Sequence, residues 1–131
     1  MKKQGILNQP ISKVIAGMGH GDMLVIADCG LPIPPKVPRI DLALAPGLPG
    51  FLETLAVILQ ELQVEKAIIA SEMQTVSPVI YGKLEESLAD LPLSSVEHEG
   101  FKQLTKEAVA VVRTGECTPY ANIILKSGVI F

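Results

Sequence analysis

Three runs in this chain, Met23-Leu24-Val25-Ile26-Ala27, Lys66–Ala70 and Val109–Val112, are almost continuously apolar and rich in β-branched residues. A strand with one wet face alternates polar and apolar side chains, so runs of this kind read as strands buried on both faces. Between them the period changes. Ile11, Val14, Ile15 and Met18 share one face of a helix expected from about Pro10 to Gly19, with Asn8 or a neighbour as its cap. Phe51, Leu55, Ile58, Leu59 and Leu62 mark a second helix, and Ile80, Leu84, Leu88 and Leu91 a third over Ser77–Leu91. Doubly buried strands alternating with one-sided helices predict an α/β fold: a mixed, largely parallel β-sheet with helices on both faces, in three layers. Shorter pieces complete the expectation: strands at Ile40–Ala45, Ser95–Glu97, Asn122–Leu125 and Val129–Phe131, and a helical turn at Glu99–Thr105. The pieces after Ile40 and near the end are expected to run antiparallel. No repeat or linker divides the chain, and residues 1–131 read as one domain.

Hydrophobic residues make up 48% of the chain and charged residues 19%. A domain this small cannot hide so much apolar surface within itself, which predicts a homo-oligomer. The net charge of −3, the lack of a basic stripe and the absence of Trp exclude a nucleic-acid groove. No apolar run approaches the ~20 residues of a membrane span. The opening Met1-Lys2-Lys3 lacks the apolar stretch of a signal peptide. Cys29 and Cys117 lie far apart and form no C-x-x-C pair, consistent with free thiols in a reducing cytoplasm. His20, Asp28 and His98 are the only set worth testing as metal ligands, and without a close His pair no metal is expected.

In open α/β sheets ligands bind beyond the carboxyl ends of the strands, which ranks the polar residues. Asp28 follows the first strand, Ser71 and Glu72 the second, His98 the Ser95–Glu97 piece and Arg113 the Val109–Val112 run. Asp28 has an alternative reading as a turn cap ahead of Gly30. Gly17-Met18-Gly19-His20-Gly21-Asp22 carries a G-x-G pattern in the wrong order for a dinucleotide loop, with the helix before it and the strand after. What remains is His20, an imidazole with little bulk beside it at a helix end; the plainer reading is a residue favoured by the helix dipole. His98 precedes Lys102 by one helical turn, so the two share a face, unless the segment is a solvated turn. Tyr120 and Asn122, two apart, face one side of an extended segment and offer uncharged donors and acceptors suited to hydroxyl groups. The Ala45–Gly50 loop reads as a rigid turn, since no Lys-Ser or Lys-Thr follows it as in a phosphate loop.

Taken together, Lys3–Asn8, Gly19-His20-Gly21-Asp22, Val25–Pro34, Arg113–Glu116 and Thr118-Pro119-Tyr120-Ala121-Asn122 resemble the D-ribose pyranases, small sugar-ring isomerases related to the fucose mutarotases. The run Ala27-Asp28-Cys29-Gly30-Leu31-Pro32-Ile33-Pro34 points to the ribose branch, with Cys29 where a small residue such as Ala is expected. The resemblance implies His20 as proton donor and Asp28, His98, Tyr120, Asn122 and the Ala121 backbone as sugar-binding positions. Lys102 is added to these from its spacing to His98. It also implies interconversion of the pyranose and furanose rings of D-ribose without metal, nicotinamide or other cofactor. A ring-based decamer is implied as well, with sites between adjacent subunits. The rival expectation is a non-catalytic sugar-sensing or transport-associated module that uses the same pocket.

Overall fold

The computed structural model describes all 131 residues. They form α1 (Gln9–Gly17), β1 (Met23–Ala27), β2 (Arg39–Asp41), α2 (Phe51–Leu59), β3 (Val64–Ala70), α3 (Glu72–Val76), α4 (Pro78–Leu88), β4 (Leu93–Val96), α5 (His98–Thr105), β5 (Ala110–Arg113) and β6 (Ile123–Ser127). One six-stranded sheet runs in the order β2-β5-β1-β6-β3-β4. Every strand is parallel to the others except β6, which pairs antiparallel with β1 on one side and β3 on the other. The sheet is therefore mixed and largely parallel, as the sequence predicts. Its reversed strand sits inside the sheet, and the Ile40 piece is a parallel edge strand rather than an antiparallel one.

The continuous apolar runs divide between two cores by the period of a strand. Leu24 and Ile26 of β1, Ala110 and Val112 of β5, and Ile123 and Leu125 of β6 face a large core under α1, α2 and α4. Val25, Ala27, Val111 and Ile124 face a smaller one, closed by Phe101 of α5 and by Leu31 and Val37 of the loop after β1. Helices thus cover both faces, unequally, and give the three-layer arrangement.

Several boundaries differ from expectation for local reasons. Asn8 caps α1, its side chain accepting from the Ile11 N–H at 3.0 Å, and Pro10 sits in the first turn. The helix stops at Gly17, two residues early, because Met18 is already extended, with ψ of 134°. His20 consequently belongs to the turn before β1 and not to a helix end, which removes the dipole reading. The third helix begins at Pro78 and ends at Leu88, and a separate short α3 precedes it. Val129–Phe131 is not a strand; Ile130 and Phe131 are fully exposed beyond β6.

Because β6 holds the two parallel blocks together, its core side chains carry the sheet. Leu125 is wholly buried, and Leu125→Ala should cost about 2–5 kcal/mol in urea unfolding. A loss below about 1 kcal/mol would contradict the place of β6 in the interior.

Candidate active site

The parallel strands end at one edge of the sheet, and the antiparallel β6 starts there. Asp28 after β1, Glu72 and His98 after β3 and β4, and the loop Thr114–Asn122 between β5 and β6 therefore meet. Between them lies an open cleft of about 360 Å³, lined by Asp28, His98, Glu116, Tyr120 and the two cysteines among others. That volume is at the small end of ligand sites.

Asp28 is fixed from three directions. Its N–H donates to Asn122 Oδ1 at 2.8 Å, while Asn122 Nδ2 donates to Asp28 Oδ2 at 2.7 Å. The Gly30 N–H donates to Oδ1 at 2.9 Å. The carboxylate faces the cleft with its direction set, and the turn-cap reading of Asp28 holds alongside the site reading. Asn122 is completely buried and lies behind Asp28, not on the cleft surface. Ala121 is buried as well, its N–H donating to Thr118 O at 3.3 Å. Tyr120 sits between these turns at φ +62°, a left-handed conformation rarely adopted by a bulky residue. Such backbone strain collects at functional sites.

His98 opens α5, and its own N–H donates to both carboxylate oxygens of Glu72 at 3.0 Å. That backbone bond, followed by Glu72's own N–H, the neighbouring His98 and the Ser71 hydroxyl, holds the Glu72 carboxyl below the usual range despite partial burial. The imidazole meets Tyr120 edge-on at 5.0 Å and stacks over Phe101 at 6.5 Å. Its Nδ1 is buried without a hydrogen-bond partner. A buried polar atom left unpaired costs stability, and no group of this chain relieves it. Lys102 does not join it: Lys102 Nζ pairs with Glu99 Oε1 at 2.6 Å and lines no part of the cleft.

Glu116 is a residue that sequence ranking passed over, although it lies within a motif. It accepts from the Phe51 N–H at 3.1 Å, the Thr118 N–H at 3.1 Å and the Thr118 hydroxyl at 2.7 Å, tying the first turn of α2 to the site loop. Burial alone would push its carboxyl up. Hydrogen bonds from the Thr118 hydroxyl and from the Phe51, Thr118 and Cys117 N–H groups outweigh burial and leave the carboxyl below its ordinary range. Gly115 is forced here: a Cβ would stand 2.5 Å from the carbonyl oxygens of Ala45 and Leu48. The Ala45–Gly50 turn thus buttresses the site loop, with the Gly47 N–H donating to Gly115 O at 2.6 Å.

His20 lies elsewhere. It precedes β1, and β1 spans roughly 16 Å at about 3.3 Å for each of its five residues, so the cleft and His20 stand at opposite edges of the sheet. There the His20 Nε2 meets Glu65 Oε2 at 2.8 Å, and Lys126 Nζ meets Glu65 Oε1 at 3.1 Å. The hydrogen bond with His20, then that with Lys126, holds the Glu65 carboxyl below its usual range. The turn itself is laced to β6: Gly21 N–H donates to Ser127 O, Ser127 N–H to Asp22 O, and Ser127 Oγ to Gly19 O. One chain therefore brings together Asp28, His98, Tyr120 and Asn122, and leaves His20 and Lys102 apart from them.

A model of the RbsD / FucU transport protein family matches residues 1–130. The chain belongs to that family. A family relative from Laribacter hongkongensis, called D-ribose pyranase, is 59% identical over the full length of both chains. One of the same name from Clostridium perfringens strain SM101 is 57% identical, again over the full length of both. The solved structure of Bacillus subtilis RbsD complexed with D-ribose superposes with a TM-score of 0.97 at 50% identity, each chain covered completely.

The depressed carboxyls give a pH test of the site loop. A carboxyl lowered on folding stabilises the native state above its unfolded pKa, and that contribution is lost as pH falls through the folded value. Glu116→Gln should therefore be less stable than the parent at neutral pH. The gap should narrow below about pH 4 in urea titrations run across pH. A gap that stays constant with pH would contradict the ionised role.

Proposed function

We propose that the protein is a cofactor-free isomerase that interconverts the pyranose and furanose forms of D-ribose by opening and reclosing the ring. The observation that carries the reading is the cleft itself: a fixed carboxylate at Asp28 together with the side chains of His98 and Tyr120 lines a volume suited to a small polyol. Full-length relatives named for this activity support it.

The chemistry needs little beyond a proton carrier. Ring opening requires a proton on the ring oxygen while the anomeric hydroxyl gives one up. The open aldehyde then rotates, and a different hydroxyl closes the new ring. No atom changes oxidation state and no group leaves. Asp28 accepts from sugar hydroxyls, Asn122 holds Asp28 in place, and His98 with Tyr120 grips the remaining hydroxyls. His20 delivers the proton, because an imidazole exchanges protons readily near neutral pH. Glu65 occupies its Nε2, which leaves Nδ1 to face the substrate.

His20 does not line this cleft in its own chain, so in this reading it serves the cleft of a neighbouring subunit. The exposed apolar side chains of Leu7, Leu44, Val79, Ile130 and Phe131 support an assembly that would cover them. A closed ring is the symmetric way to pair one sheet edge with the opposite edge of the next chain. We assign a decamer built from rings, working in the cytoplasm on ribose for catabolism. Lys102, paired with Glu99, stands outside the cleft of its own chain. A second reading, a sugar-binding module without turnover, draws on the same observation that the gripping residues of one chain stand without its His20.

Saturation-transfer NMR on ribose separates the two. His20→Ala should slow ring exchange about 10²–10⁴-fold while ribose still binds, whereas an unchanged rate leaves only the binding module. Coexpressing His20→Ala with Asp28→Asn should restore activity at about a quarter of the sites, since random mixing regenerates intact pairs. Mixed rings that stay inactive would overturn the shared site.

A further inference from the structure

Two thiols that sequence spacing keeps 88 residues apart meet at the mouth of the cleft, with Cys29 Sγ and Cys117 Sγ at 3.8 Å. Both line the cleft, and no step of the ring chemistry uses either. The approach is built into the backbone. The Cys29 N–H donates to Glu116 O at 2.8 Å, locking the segment after β1 to the segment after β5, and Arg113 Nε donates to Cys29 O at 3.1 Å. Cys117 is exposed and Cys29 half-buried, so one sulfur is open to small solutes and the other waits behind it. The hydrogen bond with Cys117, then burial and the nearby charges of Cys117 and Asp28, push the Cys29 thiol up against the opposing pull of Arg113. These neighbours favour the protonated form of the Cys29 thiol.

We propose that Cys29 and Cys117 are an oxidative modification site: a hydroperoxide converts the pair to a disulfide and shuts the adjoining sugar cleft. The consequence for sugar rests on the function proposed above; the disulfide does not. The Cys117 thiol gives up its proton to solvent and its sulfur attacks a peroxide oxygen; the O–O bond breaks, and the departing hydroxide or alkoxide takes a proton back from solvent to leave as water or an alcohol, giving a sulfenic acid. Cys29 sulfur then attacks that sulfur, the S–O bond breaks, and a second water leaves with the Cys29 proton. Two thiols lose two electrons in all, and the peroxide takes both. The resolving thiol within reach favours this outcome over further oxidation of Cys117. Closing the sulfurs from 3.8 Å to about 2.0 Å draws two cleft walls together. Neither wall yields freely, because Asp28 is bound to Asn122 and Glu116 to Phe51 and Thr118. The strain falls on the carboxylate beside Cys29, and ribose loses its grip. A dithiol reductant returns the two electrons and reopens the cleft.

The whole protein, first fully reduced, is treated with hydrogen peroxide and followed by intact mass, iodoacetamide labelling, ribose titration and ribose exchange. The expected result is a loss of about 2 Da, two thiols no longer alkylated, and an exchange rate down about fivefold or more that dithiothreitol restores. Cys117→Ser and Cys29→Ser, each compared with its own untreated rate, should show no such loss, which separates the effect from methionine oxidation. Sulfinic or sulfonic acid on Cys117 in place of the mass loss overturns the proposal, as does a disulfide that leaves exchange and ribose affinity unchanged. Reduced protein that neither exchanges nor binds ribose overturns the functional reading instead, and mass and labelling still decide the disulfide.

Discussion

Everything in the cleft depends on the exchange of hydrogen bonds between Asp28 and Asn122. The two residues stand where β1 ends and β6 begins, 94 positions apart in sequence, and each supplies the other with a partner. A buried carboxamide needs its donors and acceptors satisfied, and a carboxylate at the cleft surface needs a fixed direction; one reciprocal pair meets both demands. The antiparallel β6 makes the meeting unavoidable, because only a reversed strand brings its amino end beside the carboxyl end of β1. Tyr120, in its left-handed turn, and the loop anchored by Glu116 follow from where that strand must start.

The same reversal explains why His20 stands apart from the cleft, as the proposed divided site requires. Strand β6 runs from Asn122 at the cleft to Lys126 and Ser127 at the far edge, where Lys126 supports Glu65 and Ser127 fastens the His20 turn. The cleft residues and the proposed proton carrier, His20, thus hang from opposite ends of one strand. A monomer holds each half and cannot bring them together. Assembly then becomes part of the proposed chemistry, and the apolar side chains left exposed on one chain acquire a purpose.

Much of this was legible in the residues. The runs Met23–Ala27 and Val109–Val112 announce strands buried on both faces, and the two cores divide them by alternate residues as that reading requires. Ranking polar residues by strand ends found Asp28 and His98 because parallel strands share an exit edge. The strand-end ranking passed over Glu116, which lies inside a loop; Asn122 was found instead from its spacing to Tyr120, but the left-handed turn at Tyr120 buries it behind Asp28 rather than on the same side. Helical periodicity placed His20 at a helix end because Ile11, Val14, Ile15 and Met18 continue a helical period that the backbone abandons at Met18. Lys102 shares a helix face with His98, but a shared face is not a shared cleft, and Glu99 lies closer. Sequence separation hid the meeting of Cys29 and Cys117, which only the sheet order brings about.

The account is tested most directly by a crystal structure of the assembled protein soaked with ribose, read for the nitrogens nearest the sugar's ring oxygen. It predicts the imidazole of His20 from the adjoining subunit at hydrogen-bond distance, about 2.6–3.2 Å, with Asp28 of the first subunit on the hydroxyls. Ribose seated in the cleft with His98 as the sole imidazole in reach would contradict it.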